Sequence, residues 1–180
     1  MDRAARVNTT QIVLLGLAAV LLFWAVGAYN RLVQLRNAIV RDFAPVDAQY
    51  TQLLVLLARK TEALAPLAQA GQRLDALRAA CLQVERASAH ARVRPGATGA
   101  IVSLRLADDI LTEARARLPV HSVAGVDLTA LNGELAAADT TLQFARRQFN
   151  VAVEQYNQAV RQFPTWLLAR LFGFRPAGTL

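Results

Sequence analysis

The chain reads as an all-α protein in which one N-terminal transmembrane helix carries an antiparallel four-helix bundle. Three observations point there. Ala, Leu, Val, Arg and Gln dominate the 180 residues, most of them good helix formers, while Gly and Pro are few and clustered. Residues 7–30 carry no charge. A seven-residue apolar repeat runs from Leu128 to Phe163. Aromatic β-formers are too sparse for a sheet.

Residues 1–11 read as a short N-terminal tail and 12–29 as the transmembrane helix. Ile12 to Ala28 is unbroken apolar sequence, and the uncharged stretch from Val7 to Tyr29 would span about 34 Å as a helix. Tyr29 suits an interfacial anchor. A cleaved signal peptide would fit the small residues Val26, Gly27 and Ala28, but the apolar run exceeds a usual signal core. A buried core helix would be unusually free of charge. Arg31, Arg36 and Arg41 follow the span, against Arg3, Arg6 and Asp2 before it. That balance slightly favours the long C-terminal part in the cytoplasm.

The bundle is expected over 30–164. Its first helix continues the span to Leu64, with Ile39, Phe43, Val46, Tyr50, Leu53, Leu57 and Leu64 inward and a kink at Pro45. Pro66 and Gly71 mark a turn. The second helix, Gln72 to Ala91, turns Leu74, Leu77, Cys81, Val84 and Ser88 to one side, which makes Cys81 a small core residue. The loop Arg92 to Gly99 leads to a third helix, Ala100 to Leu118, with Leu104, Ala107, Leu111, Ala114 and Leu118 in phase. Pro119 to Gly125 is a further loop. The fourth helix, Asp127 to Phe163, alternates large residues (Leu128, Leu135, Leu142, Phe149, Tyr156, Phe163) with Leu131 and the alanines 138, 145, 152 and 159. Alanine on that seam permits close approach and a shallow left-handed crossing. Up-down-up-down order then returns the chain to the bilayer.

Residues 165–180 form an amphipathic membrane-proximal segment. Trp166, Leu168 and Phe172 supply apolar surface beside Arg170 and Arg175, a composition suited to the membrane interface. Capping the end of the bundle is the plainer role. Residues 29–41 and 155–180 each contribute three arginines, together most of the net +7, and a basic collar would face anionic headgroups. Nineteen of the twenty basic residues are arginine; Lys60 is the exception.

Asn30 and Asn37 are seven apart, as are Asn150 and Asn157. In antiparallel helices Asn30 could face Asn157 while Asn37 faces Asn150. With Tyr156 these residues would form a register-setting structural signature. Solvated flanks are the alternative.

No catalytic constellation, cofactor motif or metal site is expected. His90 and His121 are isolated, and Asp108 and Asp109 point to different faces. Cys81 is the only cysteine, which excludes an intrachain disulfide and cysteine-rich zinc sites. The basic residues are too scattered for a nucleic-acid surface. The expected partners are membrane lipid and at least one protein. Two roles follow: a non-enzymatic interaction or scaffold module, or a lipid-binding, membrane-shaping protein.

The segments Tyr29-Asn30-Arg31-Leu32-Val33-Gln34-Leu35-Arg36-Asn37 and Val46-Asp47-Ala48-Gln49 resemble the start of the LemA family domain. Ala145-Arg146-Arg147-Gln148-Phe149-Asn150, Val153, Tyr156-Asn157, Phe163-Pro164 and Leu171-Phe172-Gly173-Phe174 resemble its end. The segment Tyr50 to Lys60 departs from the pattern of a basic pair followed by a proline, and Pro45 replaces a more helix-friendly residue. A divergent member is indicated. The resemblance implies a single-pass bacterial inner-membrane protein with its N-terminus outside, an antiparallel bundle and no secure biochemical activity.

Overall fold

A computed structural model describes residues 9–66, 71–118 and 128–180. Among these residues every regular element is a helix: α1 (Thr9–Leu64), α2 (Gly71–Val93), α3 (Thr98–Ala116), α4 (Thr129–Arg161) and the short α5 (Thr165–Leu171). The expected loop from Pro119 to Gly125, with His121, lies outside the described residues. The turn between α2 and α3 closes at Arg94–Ala97, tighter than the sequence suggests.

The span and the first bundle helix are one continuous element. Pro45 lies inside α1 and is exposed, so water can satisfy the Arg41 carbonyl that proline leaves without a donor. Below Tyr29, α1 has no buried residue among the described ones: Leu15 is 67% exposed and Phe23 77%. Above it, the residues expected to point inward are all buried.

The core is built around the α1–α4 pair. Leu135, Leu142, Phe149 and Tyr156 are buried along one seam, and Ala138, Ala145, Ala152 and Ala159 along the other. Phe43 meets Phe149 edge to face, with ring centres 5.7 Å apart. Phe163 breaks the repeat: it lies beyond the end of α4 and is largely exposed. On the other side of α1, α2 packs against it and α3 packs on α2. Asp47 joins α1 to α2, accepting from Ser88 Oγ at 2.5 Å and from two nitrogens of Arg92 at 2.8 and 2.9 Å. Cys81 is half-buried against this core, and burial pushes its thiol pKa up, which suits a packing residue better than a nucleophile.

α3 and α4 are different. Their described backbones stay more than 8 Å apart throughout. Two things bridge the gap: long side chains in the upper half, and the end of the chain in the lower half.

Candidate functional site: the Tyr29 end and the tail clamp

α1 ascends from Tyr29, α2 descends, α3 ascends and α4 descends, so the tip of the α2–α3 turn, the end of α4 and all of α5 share the lower end. Tyr29 holds that end together, stacking edge to face on Phe172 at 5.0 Å and on Phe174 at 5.8 Å. α5 stops in a Schellman motif. Gly173 takes a φ of 72°, the Gly173 N–H reaches the Arg170 carbonyl, and the Phe174 N–H reaches the Ala169 carbonyl at 2.8 Å. The positive φ is the reason for glycine here.

From Phe174 the chain turns upward and runs extended, antiparallel to α4. Asn157 Nδ2 donates to the Ala177 carbonyl at 2.9 Å, and its Oδ1 accepts from the Ala177 N–H at 2.8 Å. Asn150 repeats the pattern on Leu180, at 2.7 and 2.8 Å. Between them Tyr156 donates to the Arg175 carbonyl at 3.0 Å. The spacing fits because seven helical residues rise about 10.5 Å while three extended residues cover about 10 Å. Each amide serves as one rung of a β-ladder, with its N–H donor and its oxygen acceptor set side by side as in a peptide group. On the tail's other side lies the start of α3. Thr98 Oγ1 donates to the Pro176 carbonyl at 3.4 Å. A Cβ on Gly178 would sit 3.0 Å from the Thr98 Cα and 3.3 Å from the Ile101 Cβ. The tail is thus the wedge that fills the lower half of the α3–α4 gap.

This corrects the asparagine expectation. Asn150, Tyr156 and Asn157 do form one constellation, but its partner is the tail. Asn30 and Asn37 are exposed on α1. The register explains why: Phe43 faces Phe149 and Lys60 reaches Asn132, which places Asn37 level with Gln155 and Asn30 level with Gln162. That is a slip of five residues, about 140° around α4, from facing asparagines.

Trp166, Leu168, Arg170, Phe172 and Arg175 lie at the Tyr29 end of the bundle. Trp166 and Leu168 are half-buried, whereas Arg170, Phe172 and Arg175 are exposed. The Arg170 guanidinium lies 5.9 Å from the centre of the Trp166 ring. Phe163, Leu167, Leu171 and Phe172 leave a large apolar area open. Arg31, Arg36, Arg161 and Arg175 make no ion pair among the described residues.

The sequence reading missed a polar network higher up. Arg146 donates to the Tyr50 hydroxyl, lies 5.2 Å from the centre of that ring, and pairs with Asp108 at 2.5 Å. Arg115 grips Asp139 with both terminal nitrogens, at 2.9 and 2.5 Å. These are the side chains that bridge α3 and α4. Their long sequence separation hides them from any local pattern, although Asp108 in phase with an otherwise apolar face was a usable hint. No group of three His, Cys, Asp or Glu side chains suited to a metal occurs among the described residues.

Residues 123–180 match the LemA family. The similarity is confined to this C-terminal third of the chain. The match covers α4, α5 and the tail, so the LemA-like part of the chain contains both halves of the clamp. The segments at 29–37 and 46–49 lie outside the matched range. No curated protein and no solved structure matches the chain.

Proposed function

We propose that this LemA-type protein is a single-pass, membrane-tethered interaction module without enzymatic activity, working at the bacterial cytoplasmic membrane. The observation that carries the reading is the bare lower half of α1. An 18-residue window there has mean hydropathy 2.4 and none of it is buried. Leaving such a surface in water would be costly at roughly 25 cal/mol per Å2, while lipid would cover it at no such cost. A buried core helix would have been wrapped by its neighbours. Because α1 enters the bundle without a break, the tether would also orient it. The arginine balance favours an outside N-terminus and a cytoplasmic bundle that presents its surfaces and loops to protein partners.

The test is alkaline carbonate extraction of membranes carrying the full chain with a C-terminal tag, followed by protease treatment of oriented vesicles. A tether keeps the protein in the pellet, and a cytoplasmic bundle protects the tag in right-side-out vesicles. Release of the chain by carbonate contradicts the tether. Digestion of the tag reverses the orientation.

A second reading, a lipid-binding or membrane-shaping protein, draws on the exposed Phe163, Leu167, Leu171 and Phe172 beside Arg161, Arg170 and Arg175. Buried core residues begin at Leu32, so residues 30–180 retain the whole core without the span. Salt-sensitive binding of that fragment to anionic vesicles, lost on Trp166→Ala with Leu168→Ala, supports this reading. No binding at low salt removes it.

A further inference from the structure

The upper half of the bundle contains a cleft that neither the tether nor the tail clamp uses. It opens between α1, α3 and α4, far from Tyr29, where α3 and α4 stand apart. Its volume is about 480 Å3, within the range of small-ligand pockets. Lys60, Arg115 and Arg146 line it, with Asp108, Asp139 and Asn132.

The charges in this cleft do not balance. Asp139 is engaged by both terminal nitrogens of Arg115, and Asp108 by Arg146. Lys60 pairs with no carboxylate among the described residues. Its ammonium donates to the Asn132 side-chain oxygen at 2.9 Å and forms no ion pair among the described residues. The residue is only 8% exposed. Burial, and then the nearby positive charge of Arg115, lower its pKa. One further donor is unspent: the Arg146 Nε is buried without a partner. Among the described residues three cations face two anions, and the surplus charge sits on the chain's single lysine.

A nearly buried ammonium with a guanidinium beside it is unfavourable unless an anion answers it. Lysine also suits the place chemically. It is a compact point charge with three rotatable donors, whereas arginine's fork is already committed to Asp139. We propose that this cleft binds a small anion through a carboxylate or phosphate group, with Lys60 as its principal charge partner and Arg115 reinforcing the local field. Both group types bring the same requirements, a negative charge and several acceptor oxygens. The site is independent of the membrane reading, since it uses none of the lower-end residues.

Because lysine occurs once, full-length protein labelled with 13Cε-lysine and held in lipid nanodiscs gives one lysine side-chain resonance. It would be titrated with inorganic phosphate, with succinate, and with chloride at matched ionic strength. A saturable shift with phosphate alone assigns a phosphate site. One with succinate alone assigns a carboxylate site, and one with both assigns a general oxyanion site. Lys60→Met keeps the side-chain volume and should retain the fold; its binding, read by ligand-induced thermal shift, should weaken at least ~10-fold. Arg115→Gln, with the label still in place, should also weaken saturation. Equal, non-saturating movement of the resonance with all three salts up to millimolar concentrations overturns the proposal. So does undiminished anion binding by a folded Lys60→Met.

Discussion

Asn157 and Ala177 exchange two hydrogen bonds, at 2.9 and 2.8 Å, and so fasten the end of the chain to α4 as a strand is fastened to its neighbour. Asn157→Ala removes both and leaves the Ala177 backbone without its partner. The expected cost is about 1–3 kcal/mol. Asn150→Ala should behave alike, and either variant should speed amide exchange over 175–180. Urea denaturation and mass-detected hydrogen exchange measure the two effects. Unchanged exchange in a folded Asn157→Ala would mean the amide does not hold the tail.

Gly178 carries the second half of the clamp. A branched side chain there would collide with the backbone at Thr98, so Gly178→Val should lift the tail from α3 at a cost of about 1–3 kcal/mol. If the tail acts as one unit, combining Gly178→Val with Asn157→Ala should cost clearly less than the sum of the two. A double-mutant cycle in urea decides this; strict additivity would show that the two contacts are separate.

Asp108 and Arg146 form a partly buried pair, with side chains 15% and 23% exposed. Asp108→Asn leaves the guanidinium without a counter-charge and should cost about 3 kcal/mol. Replacing both partners, as in Asp108→Leu with Arg146→Leu, should recover much of that loss. Thermal unfolding of the two variants provides the comparison, and a double variant less stable than Asp108→Asn would contradict it.

Tyr50 gives the fold a response to alkali. Burial first, and then the Asp108 carboxylate, raise the phenol above its ordinary 10.0. The folded chain therefore keeps a proton that the unfolded chain loses. The unfolded state binds fewer protons there, so stability is complete below pH 10 and falls as pH rises above it. Lys60 has the opposite sign. Its lowered pKa makes the unfolded state bind more protons, so its contribution rises with pH on approach to the ordinary 10.5. Tyr50→Phe should flatten the alkaline fall while costing about 1 kcal/mol at neutral pH through the lost Arg146 contact. Lys60→Met should steepen that fall. Urea midpoints between about pH 8 and 11 test both slopes.

The helices were legible because their signals are local. The repeat from Leu128 to Tyr156 and the uncharged run before Arg31 depend on neighbours in sequence, and the inward residues of α1 through α4 follow from period alone. The tail clamp was half legible. The spacing of Asn150 and Asn157 marked both as special, but their partner is an extended backbone, which carries no side-chain pattern. Antiparallel register was set by Phe43 on Phe149, a contact 106 residues apart that no periodicity specifies. The Arg146 and Lys60 surroundings escaped for the same reason. They exist only because α3 and α4 stand apart.

The chain contains two tryptophans, Trp24 in the bare half of α1 and Trp166 in α5. Fluorescence quenching by lipids brominated at defined depths, on Trp24→Phe and Trp166→Phe in reconstituted bilayers, reads each one alone. A tethered bundle seated on the membrane requires Trp24 to be quenched by bromine within the acyl chains and Trp166 to be quenched only by shallow bromine. A Trp24 insensitive to bromine at every depth would contradict the tether.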